Sequence, residues 1–241
     1  MSSRQDRFFA YVREKLAGID GIVDRDLFLH RKVLYVTFLD SISALIYPAN
    51  IRNRVRFTEF VLRFGMWTEA ERVSTPHLAR ALNLNPDPAY KAVRGLVEST
   101  LMSWREGARI ELTSDLEARV VETHWPSGKL QGPLVEAATW RHLRHVDLLY
   151  AFRNSLVHGF RVLGAPYDML EDERPYYIIT ATSTADSTET ELHWELVYPI
   201  DFLRRLAGSA LRSAEAHVRQ NDIDPVEVLR TGHYWIRELN K

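Results

Sequence analysis

The sequence predicts a mainly α-helical chain with small β insertions, and three observations carry that expectation. Apolar residues recur at three- and four-residue spacing over most of its length, which is the period of a helix with one buried face. The period switches to alternation only near 109–125 and 175–198. Proline, glycine and asparagine fall at the edges of these runs rather than inside them. With 241 residues, 46% apolar and 26% charged, the chain is long enough to bury a substantial core. It shows no internal repeat, long low-complexity tract or linker, so a single domain over 1–241 is expected.

In order, Phe8, Tyr11, Val12 and Leu16 predict a first helix from Arg4 to Ala17, with Gly18 as its stop. Leu27, Val33, Leu34, Phe38, Ile42 and Leu45 predict a second from about Asp24, read as its cap, to Ile46. A third, Val55 to Phe64, buries Phe57, Phe60, Val61 and Phe64 and turns Arg52, Arg54, Arg56 and Arg63 outward. Thr75 to Leu82 and Pro88 to Thr100 follow as two shorter amphipathic helices around Asn83-Leu84-Asn85-Pro86. Alternation between Arg109 and Trp125 predicts two short strands around Ser114-Asp115. A long helix is expected from Thr139, with Trp140, Leu143, Val146, Leu149, Tyr150, Phe152 and Leu156 as its apolar positions, ending at Gly159. Gly164-Ala165-Pro166 and an acidic loop, Asp168 to Glu173, lead to paired strands at 175–181 and 191–198. The Thr182 to Thr190 connection between those strands reads as the most mobile loop. A helix opened by Pro199 and Asp201 runs to about Gln220, and a short one, Pro225 to Leu229, precedes a tail with Tyr234, Trp235 and Ile236.

Composition removes several function classes. The chain has no cysteine, which excludes disulfides, thiolate nucleophiles and cysteine-held zinc. A formal net charge of -1 argues against a uniformly basic nucleic-acid coat, although arginine dominates the 31 cations and is the better bidentate phosphate ligand. The charged N-terminus reads as lacking a signal peptide, and no run approaches the roughly 18 apolar residues of a membrane span. A cytoplasmic protein without a membrane partner is therefore expected.

One stretch stands apart. Leu148 to Phe160, LLYAFRNSLVHGF, places Arg153, Asn154 and His158 at the end of an otherwise apolar helical run. Groups of that kind are costly to bury without partners. Helical geometry puts Asn154 and His158 on one face, where the amide can hydrogen-bond the imidazole, and puts Arg153 on the adjacent face. The structural alternative is that Arg153 pairs with Asp147 or Glu136 while His158 caps the helix C-terminus, where a cation is favoured by roughly 0.3 to 1 kcal/mol. Arginine followed five positions later by histidine also occurs at Arg25 and His30, Arg72 and His77, Arg119 and His124, and Arg212 and His217. Only the central pair combines Asn after Arg, a preceding apolar helix and Gly after His. Arg25-Asp26 with His30 comes nearest.

Arg153-Asn154, three residues, then His158 resembles the signature of the HEPN superfamily, all-α domains of prokaryotic toxin and defence ribonucleases. The direct match spans about a dozen residues. The resemblance implies a HEPN-like antiparallel helical bundle, a homodimer groove, and metal-independent endoribonuclease activity without a cofactor. It makes Arg153 and His158 catalytic, with Asn154 ordering them, and RNA the partner, alongside an antitoxin or defence protein. Toxins of the family partnered with a nucleotidyltransferase often carry Tyr two residues after the His. Phe160 stands there in this chain and has no hydroxyl to modify.

Other readings remain open. A non-catalytic HEPN-like module would bind RNA, nucleotide or protein at the same helix. The helices at 75–100 have the outline of a helix-turn-helix DNA-binding regulator, with Ala79, Leu82 and Leu84 inside and Tyr90, Lys91 and Arg94 on the second helix, which offers few side chains able to read base edges. His142 and His145, three apart, form a weak metal-type pair. The tryptophans read as core rather than as base-stacking platforms, with Trp194 and Tyr177 the exception if they lie on exposed strand faces, and no phosphate-cradling glycine loop or serine nucleophile motif is present.

Overall fold

The structure, a computed structural model, describes residues 3–24, 27–47, 50–130, 132–136, 138–161, 172–183 and 190–225. It is mainly helical: α1 (Arg4–Asp20), α2 (Phe28–Ile46), α3 (Asn53–Phe64), α4 (Thr75–Leu84), α5 (Lys91–Met102), α6 (Ala118–His124), α7 (His145–Gly159) and α8 (Ile200–Gln220). Strands β1 (Ile110–Glu111), β2 (Tyr176–Ser183) and β3 (Thr190–Val197) form one antiparallel sheet in the order β1-β2-β3. No described helix is long and apolar enough to cross a membrane. The expected break at Gly164 to Pro166, most of the acidic loop, the middle of the Thr182 to Thr190 connection, the expected last helix beyond Pro225 and the aromatic tail lie outside the described residues.

The chain divides into two compact units, residues 1–66 with 204–241, and residues 67–203. In the first, α1, α2, α3 and the body of α8 bury Phe9, Tyr35, Leu39, Phe57, Phe60 and Leu211. The α1 N-terminus is held by reciprocal Ser3 and Asp6 bonds, a capping box written in the sequence as Ser-x-x-Asp. The helix continues through Gly18 to Asp20, because one helical glycine costs only about 1 kcal/mol against alanine. The start expected at Asp24 is instead at Phe28, without a side-chain cap. Of the arginines expected to face outward from α3, Arg56 turns back to α2, donating to Ser43 Oγ at 3.2 Å and Asp40 at 3.3 Å. A Cβ on Gly65 would lie 2.7 Å from Leu206 Cδ1, so α3 and α8 touch there through a bare backbone.

In the second unit, α4, α5 and α6 enclose Leu78, Leu82, Tyr90, Val97, Val121 and Trp125. The second strand expected before Trp125 is α6: Ala118, Val121 and Trp125 keep helical spacing, and the valine pair alone imitated alternation. The first is reduced to Ile110–Glu111, which pairs with Tyr177 and Tyr176 of β2. The two β insertions therefore join in a single sheet. The long helix expected from Thr139 is a 3-10 turn, Trp140–Leu143, and then α7, separated by an extended Arg144 (φ -68°, ψ 150°).

Candidate functional site

The helix α7 buries Val146, Leu149, Phe152 and Leu156, a single stripe of i, i+3, i+6 and i+10. Its first turn is anchored by backbone bonds from His145 N–H to Arg72 and Val146 N–H to Ala70, and by Arg144 Nε to Asp147 at 2.9 Å. Gly159 is still helical. The reversal falls on Phe160, in the left-handed region at φ 51°, ψ 37°, whose N–H returns to Leu156 O.

At this end the three residues of the motif come together. Arg153 Nη1 donates to Asn154 Oδ1 at 2.9 Å and lies 3.4 Å from His158 Nε2. Arg153 and Asn154 are half-buried and His158 is exposed. Arg153 thus does not point away from the other two, as a bare helical wheel suggests, because its long stem sweeps the guanidinium across the face. Asn154 turns its carbonyl to the arginine. The arrangement is a cation held by an amide beside an imidazole at a helix C-terminus open to solvent, a combination able to grip an anion and exchange a proton with it.

A second constellation lies in the same unit, built on residues that no local spacing joins. Ser74 occupies the cap position of α4, yet its hydroxyl lies 2.7 Å from His77 Nδ1 and 2.7 Å from the Tyr177 hydroxyl. The carboxylate at that helix start comes from Asp115 instead. Its Oδ1 accepts from Thr75 N–H at 2.7 Å, while Oδ2 meets His145 Nε2 at 2.7 Å and Tyr177 OH at 2.9 Å. Ser74, Thr75, His145 and Tyr177 are wholly buried. Burial and the Asp115 charge push the Tyr177 hydroxyl well above its ordinary range, so it stays protonated.

Proton counting gives this network a direction. A carboxylate only accepts, so the single tyrosine proton goes to Asp115. The Ser74 proton must then go to the tyrosine oxygen, and the proton between Ser74 and His77 must sit on His77 Nδ1. His77 Nε2 is left as a lone pair. Burial, and the nearby His145 against Asp115, lower the His77 pKa from 6.5 to about 4, which keeps this ring neutral at pH 7.

Several sequence-level candidates are committed elsewhere. His145 belongs to the buried network, and His142 Nδ1 accepts from Thr139 N–H in a local capping box, so the two are not a shared ligand pair. Among the described residues no group of three or more His, Asp or Glu is placed to hold a metal ion. Arg94 donates to the carbonyls of Leu82, Asn85 and Asp87, which closes the C-terminus of α4 and removes this guanidinium from any base-reading surface. Tyr177 is fully buried and cannot stack on a base, whereas Trp194 is half-buried and borders a groove. Arg25, of the nearest rival pair, lies outside the described residues. Compared with known proteins, the chain matches no family model, no curated protein and no solved structure.

Proposed function

We propose that this protein is a metal-independent endoribonuclease of HEPN type, of the toxin or defence class, acting as a homodimer with Arg153, Asn154 and His158 in each half of the site. The observation that supports the reading is the contact set of Arg153, which reaches both Asn154 and His158 at a solvent-open helix end. RNA brings its own nucleophile. In the proposed reaction the His158 imidazole takes the proton of a 2'-hydroxyl as its oxygen bonds to phosphorus. The imidazole of the second copy gives a proton to the departing 5'-oxygen as the P–O5' bond breaks. A phosphate oxygen seated between Arg153 and His158 replaces their long contact, and the guanidinium stabilises the charge gathering on the non-bridging oxygens. The products are a 2',3'-cyclic phosphate and a 5'-hydroxyl.

The test is cleavage of single-stranded RNA by purified protein in EDTA, with end-group analysis of the products. Loss of the imidazole in His158→Ala should lower the rate by about 10²- to 10⁴-fold. Loss of the guanidinium in Arg153→Ala should lower it by about 10²- to 10³-fold. The circular dichroism of both variants should be unchanged. Variants as active as the parent chain overturn the assignment. A stable dimer that cleaves nothing points instead to a non-catalytic module that binds RNA or nucleotide.

A further inference from the structure

Beside the start of α4 runs a groove of about 420 Å3, bounded by that helix, by Leu101 of α5 and by the Leu192 to Trp194 segment of β3, the outer strand of the sheet. Its walls combine four kinds of group. His77 and His193 supply imidazoles, Arg80 a cation, Asn83 an amide and Trp194 an aromatic face, with Leu101 among the apolar residues. Among the described residues none forms an ion pair with the exposed Arg80. Trp194 is braced edge-on by Trp104, with ring centroids 5.3 Å apart, so its position is set by packing.

We propose that this groove binds a nucleoside monophosphate whose base carries an amino group, with the base against Trp194, its amino group on His77 Nε2 and its phosphate on Arg80. The buried relay selects the ligand. Because Asp115, Tyr177 and Ser74 direct their protons so that His77 Nδ1 is the donor to Ser74, the opposite nitrogen can only accept. A phosphate, which at neutral pH is chiefly an acceptor, has no partner there, and the neutral imidazole offers it no charge. The anion therefore goes to Arg80, one helical turn along α4 at i+3, and an N–H donor goes to His77. An aromatic amine satisfies His77 while its ring covers Trp194 and the apolar wall. The volume lies in the range of small-ligand sites. This inference does not depend on the proposed ribonuclease site, since it uses no residue of α7 beyond His145, which acts within the relay.

The experiment is isothermal titration of the full chain with AMP, with purine riboside 5'-monophosphate, which lacks the amino group, and with adenosine. AMP is expected to bind with a Kd below about 1 mM. Removing the amino group should weaken binding about 3- to 10-fold, the size of one lost neutral hydrogen bond. Adenosine should bind more weakly than AMP. Arg80→Ala, at an exposed position where folding is not at risk, should weaken AMP about tenfold and leave adenosine unchanged. Arg153→Ala and His158→Ala should bind AMP as the parent does. Absence of AMP binding, equal binding of the two purine monophosphates, or loss of binding in Arg153→Ala with retention in Arg80→Ala each overturns the assignment.

Discussion

The Asp115 carboxylate accepts three hydrogen bonds at once: from the Thr75 N–H on Oδ1, and from the His145 ring and the Tyr177 hydroxyl on Oδ2. All of these groups are out of water, so removing the carboxylate leaves a ring, a hydroxyl and a helix-start amide without partners. Asp115→Ala should therefore cost about 3 to 5 kcal/mol in urea unfolding. Tyr177→Phe, which keeps the packing against Trp104 and loses one hydroxyl, should cost about 1 to 3 kcal/mol. Losses below 1 kcal/mol in both would show that the network contributes little to stability. His77 gives the network a pH signature. Its folded pKa, about 4, is below the ordinary 6.5, so between these values the unfolded chain takes up a proton that the folded chain refuses. Its contribution to stability is complete above about pH 6.5 and is lost as the pH falls toward about 4. The difference in urea midpoint between the parent and His77→Gln should shrink over that window, and a constant difference would refute the shift. None of this is legible from local spacing. Ser74 and His77 are three apart, but Asp115 and Tyr177 lie 41 and 103 positions from Ser74, and only the fold brings them together. Arg153, Asn154 and His158 are legible because one helix carries all three.

The elements divide along similar lines. Helices α1, α2, α3, α5 and α8 stand within a few residues of where apolar periodicity puts them, since burial of one face dominates there. What periodicity misses is set by backbone chemistry at the ends. The break at Arg144 lets His145 and Val146 bond back to Arg72 and Ala70, and α6 is too short for its period to outweigh two adjacent valines. The same end effects make α4 depend on a distant side chain. Arg94, seven residues beyond Asp87, gathers three main-chain carbonyls at the end of the helix, those of Leu82 and Asp87 at 3.2 and 3.0 Å. Two of these carbonyls also accept main-chain N–H groups, Leu82 O from Asn85 and Asp87 O from Tyr90 at 3.2 Å each, and a charged donor added to them is worth more than a neutral one. Arg94→Met, which keeps most of the stem, should lower stability by about 1.5 to 3 kcal/mol and weaken amide protection in the last turn of α4 first. Hydrogen exchange read by mass spectrometry over 79–90 checks it, and unaltered protection there would show that the main-chain bonds alone hold this helix end.

At the scale of the whole molecule, the division into 1–66 with 204–241 and 67–203 gives each unit a buried interior of its own. The first closes a loop in sequence: α8 returns to α1, where Arg219 donates to Asp6 at 2.8 Å and Arg13 to Glu215 at 2.6 Å. Arg219 and the Ser3 bonds hold the Asp6 carboxyl down to about 2. These pairs are exposed, and pairs of that kind contribute little each, so the unit rests on its aromatic interior. Phe60, fully buried between Phe57 and Phe64 on α3, is a direct probe of it. Phe60→Ala should cost about 3 to 5 kcal/mol through lost contacts and the cavity left behind. If each unit opens on its own, exchange should quicken in α1, α2, α3 and the later part of α8. Protection in β2, β3 and α7 should fall much less. Leu78→Ala, in the α4 to α6 core, should give the reverse pattern at about 2 to 5 kcal/mol. Equal loss of protection across both units in each variant would mean that the chain unfolds as one cooperative body. The proposed site on α7 would then share the stability of the aromatic bundle, and a core substitution in α3 would lower its occupancy as much as one in α4.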